Sequence, residues 1–185
     1  LLIKKYIDLW DNYTSTTQDN MGEQMTMLMC IFTRLRQIAL DPHLIGITPS
    51  GLQQYRELND DNAPPPFAND KLVKLVEILE ANKDKKFIVF SFFTSYLDIA
   101  STMLDRPTFM IRSKHTIQKR FAILDQWKES QGGVLLMNYK LGAEGLNLTQ
   151  ATEIVLLDSW FNFSCEAQAI ARAHRIGQTK EVTVH

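Results

Sequence analysis

The hydrophobic pattern of this chain changes character near residue 70. Upstream, apolar residues recur at helical spacing. Leu2, Ile3, Tyr6, Ile7, Leu9, Trp10 and Tyr13 share one broad face, which predicts a helix over residues 1–13. Thr14-Ser-Thr-Thr17 breaks that face. A second helix is predicted from about Gly22 to Leu40, rich in Met21, Met25, Met27 and Met29 and continued by Leu28, Ile31, Phe32, Leu35 and Ile38. Methionine fills irregular interior space, so the stripe is expected to be core packing. Asp41-Pro42 stops this helix, because a residue before proline avoids the helical region. Gly46, Pro49, Gly51, Asn59-Asp-Asp-Asn62 and Pro64-Pro-Pro66 then give residues 46–69 the composition of a semi-rigid linker.

From Asp70 onward, short wholly apolar runs alternate with amphipathic ones. Asp70 is placed to cap a helix reaching about Asn82, with Leu72, Leu75, Val76 and Leu79 inward. Strands are predicted at Phe87–Phe90, Thr108–Ile111, Val134–Met137 and Ile154–Leu157, with a fifth beginning at Val182. Helices fall between them: Thr94 to about Leu104, Thr116 to Glu129 with Phe121, Leu124 and Trp127 buried, and Ser164 to Arg175, with Ser164 as N-cap and Gly177 as terminator. Strands apolar on both faces, separated by helices, imply an α/β fold with a parallel sheet covered on each side. Ligands of such sheets bind beyond the carboxyl ends of the strands. Ser91, Arg112 to Thr116, Asn138 to Asn147 and Asp158 to Asn162 are therefore expected along one edge. The division is a helical segment (1–45), a linker (46–69) and an α/β lobe (70–185).

Composition narrows the function. At 45% hydrophobic and 22% charged, the 185 residues suit a globular domain with a sizeable core and an appendage. A net charge of −1 argues against holding nucleic acid by bulk electrostatics, but not against a local basic strip. Two cysteines make no disulfide framework, and no Cys/His group has zinc spacing, so no metal is expected. No run approaches the roughly 20 apolar residues of a membrane span, and no signal peptide is visible. A reducing compartment is the expectation. The chain starts without Met and stops in a strand pattern, so it is read as a piece of something longer.

Candidate chemistry concentrates near the end. On a continuous helix Gln168, Arg172 and Arg175 stand at i, i+4 and i+7 and share a face. Arginine forks onto phosphate oxygens with planar, permanently charged donors, which suits a polyanion. Two arginines near a helix C-terminus also suit an ordinary solvated face, and the spacing alone leaves both readings open.

Whole segments resolve the matter further. Gln168-Ala-Ile-Ala-Arg172-Ala-His174-Arg175-Ile-Gly177-Gln178-Thr179 resembles motif VI of the Swi/Snf branch of superfamily-two motors almost residue for residue. Lys140-Leu-Gly142-Ala-Glu-Gly145-Leu-Asn147-Leu-Thr149 resembles motif V, and Lys86-Phe-Ile-Val-Phe-Ser91 with Leu97-Asp98 resembles motif IV. Asp158-Ser-Trp160-Phe-Asn162 resembles the segment between motifs V and VI, and Arg120 an arginine of the family's helix. Leu35-Arg36-Gln37 through Pro42-His43-Leu44 is similar to the element joining the two lobes. Residues 70–185 thus resemble the second RecA-like lobe of a Swi/Snf-type DNA-dependent ATPase, nearest the repair-translocase and lodestar-type subgroup. The chain departs from the pattern at Phe92, Arg112–Thr116, Asn138-Tyr139 and Leu141–Ala143, where fine DNA contacts would lie, and at Asp41.

The resemblance implies half of an ATP-driven double-stranded DNA translocase. Its cofactors would be ATP and Mg²⁺, both held mainly by a first RecA-like lobe, since no Gly-x-x-x-x-Gly-Lys-Ser/Thr loop stands here. Arg175 would be the arginine finger, Arg172 its companion, and Gln168 a coupling residue at the lobe interface. Gly145 and Asn147 would lie near the nucleotide. Ser91, Arg112, Lys114, Asn138 and Lys140 would face DNA phosphates. The partners implied are duplex DNA and the N-terminal lobe, with nucleosomes or repair and transcription proteins as wider context, and no membrane. The location would be the nucleus in a eukaryote, or otherwise intracellular, a viral replication compartment included. The lobe alone is expected to be inactive. The alternative class is a non-catalytic RecA-like scaffold or DNA-binding module.

Overall fold

A computed structural model describes residues 4, 7–8, 11, 21–41, 44, 70–142, 145–159 and 162–185. The chain separates into two compact units, Leu1–Phe67 and Ala68–His185. In the first, positions 4, 7, 8 and 11 are helical; the rest of the expected helix over 1–13, like the linker over 46–69, lies outside the described residues. Helix α1 spans Met21–Leu40. Its methionines depart from expectation: Met25 and Met29 are exposed, as is Phe32, while Ile31 and Leu40 are buried. Met25, Met29 and Phe32 recur at i, i+4 and i+7, so they share a stripe distinct from the one Ile31 occupies.

The second unit contains α2 (Asp70–Ala81), β1 (Phe87–Ser91), α3 (Thr94–Thr102), β2 (Thr108–Ile111), α4 (Ile117–Glu129), β3 (Val134–Asn138), the single turn α5 (Tyr139–Gly142), β4 (Glu153–Leu156), α6 (Phe163–Ile170) and β5 (Thr183–Val184). The five strands form one sheet in the order β2-β3-β1-β4-β5. Every pairing is parallel; Phe87 lies opposite Val134 on one side and Glu153 on the other. All strands therefore end on one edge, carrying Ser91, Ile111, Asn138 and Leu156.

The apolar runs form strands because both faces are covered. All five residues of β1 are buried, and so are Val134–Met137. One core cluster joins Ile88, Phe90, Leu135 and Met137 to Trp127 and Leu124 of α4 and to Ala169 of α6. Burying each of the larger side chains stabilises by about 1.5–3 kcal/mol. The Trp127 indole N–H reaches the Gly133 carbonyl at 3.1 Å, so the largest buried ring leaves no donor unsatisfied. Phe121, expected inside, is exposed. On α4 the inward stripe runs through Leu124 and Trp127, one turn apart, and Phe121 falls beside it.

Two polar brackets close the other edge of the sheet. The Arg106 guanidinium donates to the carbonyls of Leu79, Lys83, Lys85 and Gly132. It ties the end of α2 to the turn before β3. Glu153, at the start of β4, is buried and accepts from Lys85, with His185 at 2.7 Å.

Candidate functional site

The carboxyl edge of the sheet is organised by Asp158, a carboxylate two residues past β4 and almost wholly buried. Its Oδ2 accepts the Ser91 hydroxyl at 2.9 Å, and its Oδ1 accepts the Phe92 N–H at 3.0 Å. Its carbonyl accepts the Tyr139 hydroxyl at 2.8 Å. Tyr139 in turn stacks on Phe92, with ring centroids 4.4 Å apart. The Asn138 amide donates to the Phe92 carbonyl at 2.7 Å and its oxygen accepts the Lys140 N–H at 3.0 Å. Asp158 thus fixes the ends of β1, β3 and β4 together, through its buried carboxylate and its backbone carbonyl.

This arrangement revises the expected role of Ser91. It is fully buried, its hydroxyl is given to Asp158, and it accepts the Phe93 N–H at 3.0 Å. It brackets the edge and presents no surface to a phosphate. Asn138 is half-buried and holds loop backbone on both sides of its amide, while Lys140 projects into solvent.

Beyond β2 the chain enters a cationic loop. Arg112 forks onto Asp98, and its backbone N–H donates to His115 Nδ1 at 3.2 Å. Arg120 reaches back to the carbonyls of His115 and Ser113 and so braces the loop from α4. Thr116 caps α4 by accepting the Lys119 N–H at 3.3 Å. The His115 ring is held below its ordinary pKa, first by desolvation and then by Lys119, Arg112, Lys114 and Arg120. It stays neutral at pH 7 and accepts the Arg112 N–H, while the cations around it give this end of the edge a positive potential. Lys114 is exposed at its tip.

The arginines lie on a different structure from the one predicted. Helix α6 ends at Ile170, and residues 171–176 form tightened turns. The Arg172 N–H bonds to Ala169 and the Ala173 N–H to Ile170, each three residues back. The carbonyl of Arg172 is taken by the N–H of Leu148 at 3.1 Å. Tertiary bonding thus overrides the helix propensity of the alanines. Gln168, Arg172 and Arg175 consequently do not share a helical face: Gln168 is exposed on α6, Arg172 is half-buried and Arg175 exposed on the turns. The cap also moves, from Ser164 to Asn162, whose oxygen accepts the Ser164 N–H at 3.0 Å. Gly177 ends the turns rather than a helix, at φ +101°, a region natural to glycine.

Gly145 and Asn147 stand on the loop that meets those turns. Gly145 has φ +78°. Asn147 folds its side chain onto its own loop, accepting from the Thr149 N–H and hydroxyl. Ala143 and Glu144 of this segment, like Trp160 and Phe161, lie outside the described residues. Sequence reasoning missed Gln178 as a site residue. Its Nε2 lies 2.8 Å from the Thr149 carbonyl, 3.0 Å from that of Ala151 and 3.4 Å from that of Ala173. The structure therefore ties the loop of Gly145 and Asn147 to the arginine turns through Leu148, and gathers Ser91, Asn138 and Asp158 at another place. The segment from Asn138 to Ala151 connects them. Among the described residues no group of His, Cys, Asp or Glu has the arrangement of a metal site, and no helix is long and apolar enough to cross a membrane.

Comparison with known proteins now decides the family. The pattern of the helicase conserved C-terminal domain matches residues 70–177. The chain belongs to the helicase C-terminal domain family. This helicase lobe is 46% identical over 120 residues to the DNA repair protein RAD5 of Yarrowia lipolytica, covering 63% of this chain and 12% of that protein. It is 31% identical over 213 residues to the putative helicase 172L of invertebrate iridescent virus 6, covering 86% of this chain and 34% of that one. The lobe thus spans an eighth to a third of these relatives' length. Its fold matches the Sulfolobus solfataricus SWI2/SNF2 ATPase core in complex with dsDNA, with a TM-score of 0.71 at 21% identity over all of this chain and 36% of that one. It also matches the C-terminal part of the Fun30 ATPase domain, with a TM-score of 0.63 at 24% identity over 98% of this chain and 59% of that one. In fold the helicase lobe is RecA-like, like the SWI2/SNF2 core it matches.

Proposed function

We propose that this lobe is the second half of an ATP-driven translocase on double-stranded DNA. The observation that carries the reading is the turn of Arg172 and Arg175, bonded through Leu148 to the loop of Gly145 and Asn147. That loop descends from Asn138 and Lys140 on the sheet edge, so a phosphate-facing edge and an arginine-bearing turn belong to one connected structure.

Within this reading, ATP and its Mg²⁺ would be held mainly by a first lobe of the same protein; nucleotide binding would close the two lobes and hydrolysis would reopen them. The residues here fit the far side of a triphosphate. Arg172 and Arg175 offer permanent charge from a turn whose backbone is fixed, and Gly145 leaves open space above the loop. Arg175 stabilises charge developing on the γ-phosphate, Arg172 assists it, and Gln168, exposed on α6, faces the partner lobe. Lys114, Lys140 and Asn138 position a DNA strand through its phosphates without reading sequence. Arg112 does so alongside its pairing with Asp98. The setting is DNA repair or chromatin work, in a nucleus or a viral replication compartment.

The test is ATP hydrolysis by the intact protein, with and without duplex DNA, beside its Arg175→Ala variant. DNA-stimulated turnover that disappears in the variant supports the reading. A well-folded intact protein with no turnover on any nucleic acid overturns it in favour of a RecA-like scaffold.

A further inference from the structure

We propose that Gln178 is the positioning residue that transmits DNA engagement from the 145–151 loop to the arginine turn; the inference rests on the translocase reading above. Gln178 is half-buried, and its amide nitrogen, with two hydrogens, faces three backbone carbonyls. Two of these, Thr149 and Ala151, belong to the loop; the third, Ala173, belongs to the arginine turn. Its oxygen accepts the Lys180 N–H at 3.0 Å, so donor and acceptor are both used. Gly177, at φ +101°, reverses the chain immediately before it and permits the side chain to return to the loop.

The chemistry demands glutamine. Asparagine is one methylene short, glutamate brings a carboxylate against three carbonyl oxygens, and an apolar side chain takes the amide donor away from the Thr149 and Ala151 oxygens. The loop and the turn share a second tie, from the Leu148 N–H to the Arg172 carbonyl at 3.1 Å. When a strand held at Asn138 and Lys140 draws on the chain that leads to this loop, displacement of the loop therefore moves the backbone at Arg172 and at Ala173. With Gln178 disabled, that displacement is passed on through Leu148 alone among the ties described here. Arg175 is the residue most affected, because its own N–H bonds to the Ala173 carbonyl that Gln178 approaches.

The experiment uses the intact protein with Gln178→Met, which keeps length and removes the donor, and Gln178→Glu. Gln178→Met is expected to lower the DNA-stimulated kcat by about 10²-fold, the scale of an ångström-sized misplacement, while KM for ATP and Kd for duplex DNA stay within about twofold. Gln178→Glu is expected to lose at least as much, because an ionised carboxylate offers no donor and is set against carbonyl oxygens. Amide exchange supplies a readout independent of turnover. Duplex DNA is expected to slow exchange of residues 171–176 in the wild type and to leave it unchanged in Gln178→Met. Full DNA-stimulated kcat in Gln178→Met, or a DNA response of residues 171–176 that persists in it, overturns the inference. So does a wild type whose residues 171–176 ignore DNA. A wild type that hydrolyses no ATP yet shows the exchange response overturns the translocase reading and leaves the Gln178 coupling standing.

Discussion

The backbone N–H of Leu148 donates to the carbonyl of Arg172 at 3.1 Å, so the arginine turn is shaped by a loop more than twenty residues upstream. That bond accompanies the departure of the chain from the helix its sequence favours and leaves Arg172 and Arg175 in the turns that follow Ile170. Their side chains act independently of any helical wheel. Arg172→Ala and Arg175→Ala are each expected to lower DNA-stimulated kcat by about 10³–10⁵. Lysine at either position is expected to restore little, since it lacks the planar fork. Steady-state ATPase assays at saturating DNA check this, and a variant within tenfold of wild type would remove that arginine from the reaction.

Lys114 and Lys140 are both exposed and stand on different loops, so under the proposed function each is expected to contribute its own phosphate contact. Each Lys→Ala change is expected to reduce the slope of log K against log salt by about 0.9 on duplex DNA, uniformly across sequences. Arg112→Ala is expected to do more than lower affinity, because it releases Asp98 as an uncompensated carboxylate beside the loop. Fluorescence anisotropy over a salt series measures both.

Ser91 and Asp158 are predicted to couple strongly in stability. Asp158→Ala removes acceptors for the Ser91 hydroxyl and the Phe92 N–H, and a hydrogen bond to a buried charge is worth about 1.5–3 kcal/mol. A double-mutant cycle with Ser91→Ala by urea denaturation is expected to give an interaction of about 0.5–3 kcal/mol. Additive losses would show that the bracket is not a unit.

Glu153 carries a prediction in pH. Burial alone would raise its carboxyl, but hydrogen bonds from Lys85 and His185 outweigh it and hold the group below its ordinary value. A carboxylate depressed by folding stabilises above its unfolded pKa, and that contribution is lost as pH falls through the folded value. Glu153→Gln is therefore expected to be less stable than wild type at pH 7, and the gap is expected to close on acidification below the usual carboxylate range. Chemical denaturation at a series of pH values checks it; a gap independent of pH would assign the effect to packing.

The central strands β1 and β3 were legible because their buried runs are apolar, and a sheet covered on both faces there imposes little else. The edge that carries the candidate site followed from the parallel order. Individual roles were less legible, since they depend on distant partners. Ser91 reads as an exposed loop residue until Asp158 is seen beneath it. The helix over 164–175 has good local propensity, and only Leu148 and Gln178 reveal why it stops at Ile170. Gln178 has no periodic signal at all; its place in the segment resembling motif VI, directly after Gly177, was the available hint. Phe121 misled because an amphipathic stripe is narrower than the set of apolar residues on its helix.

The place of β1 has a consequence for biosynthesis. Its two neighbours, β3 and β4, are both later in the chain, with Phe87 opposite Val134 and Glu153. A ribosome adding roughly 5–20 residues per second exposes the apolar run Phe87–Phe90 for a few to about ten seconds before both partners exist. During that interval the nascent strand has two open edges and no sheet to join. Newly made copies of this lobe are therefore more open to association through Phe87–Phe90 than a lobe whose central strand is made last.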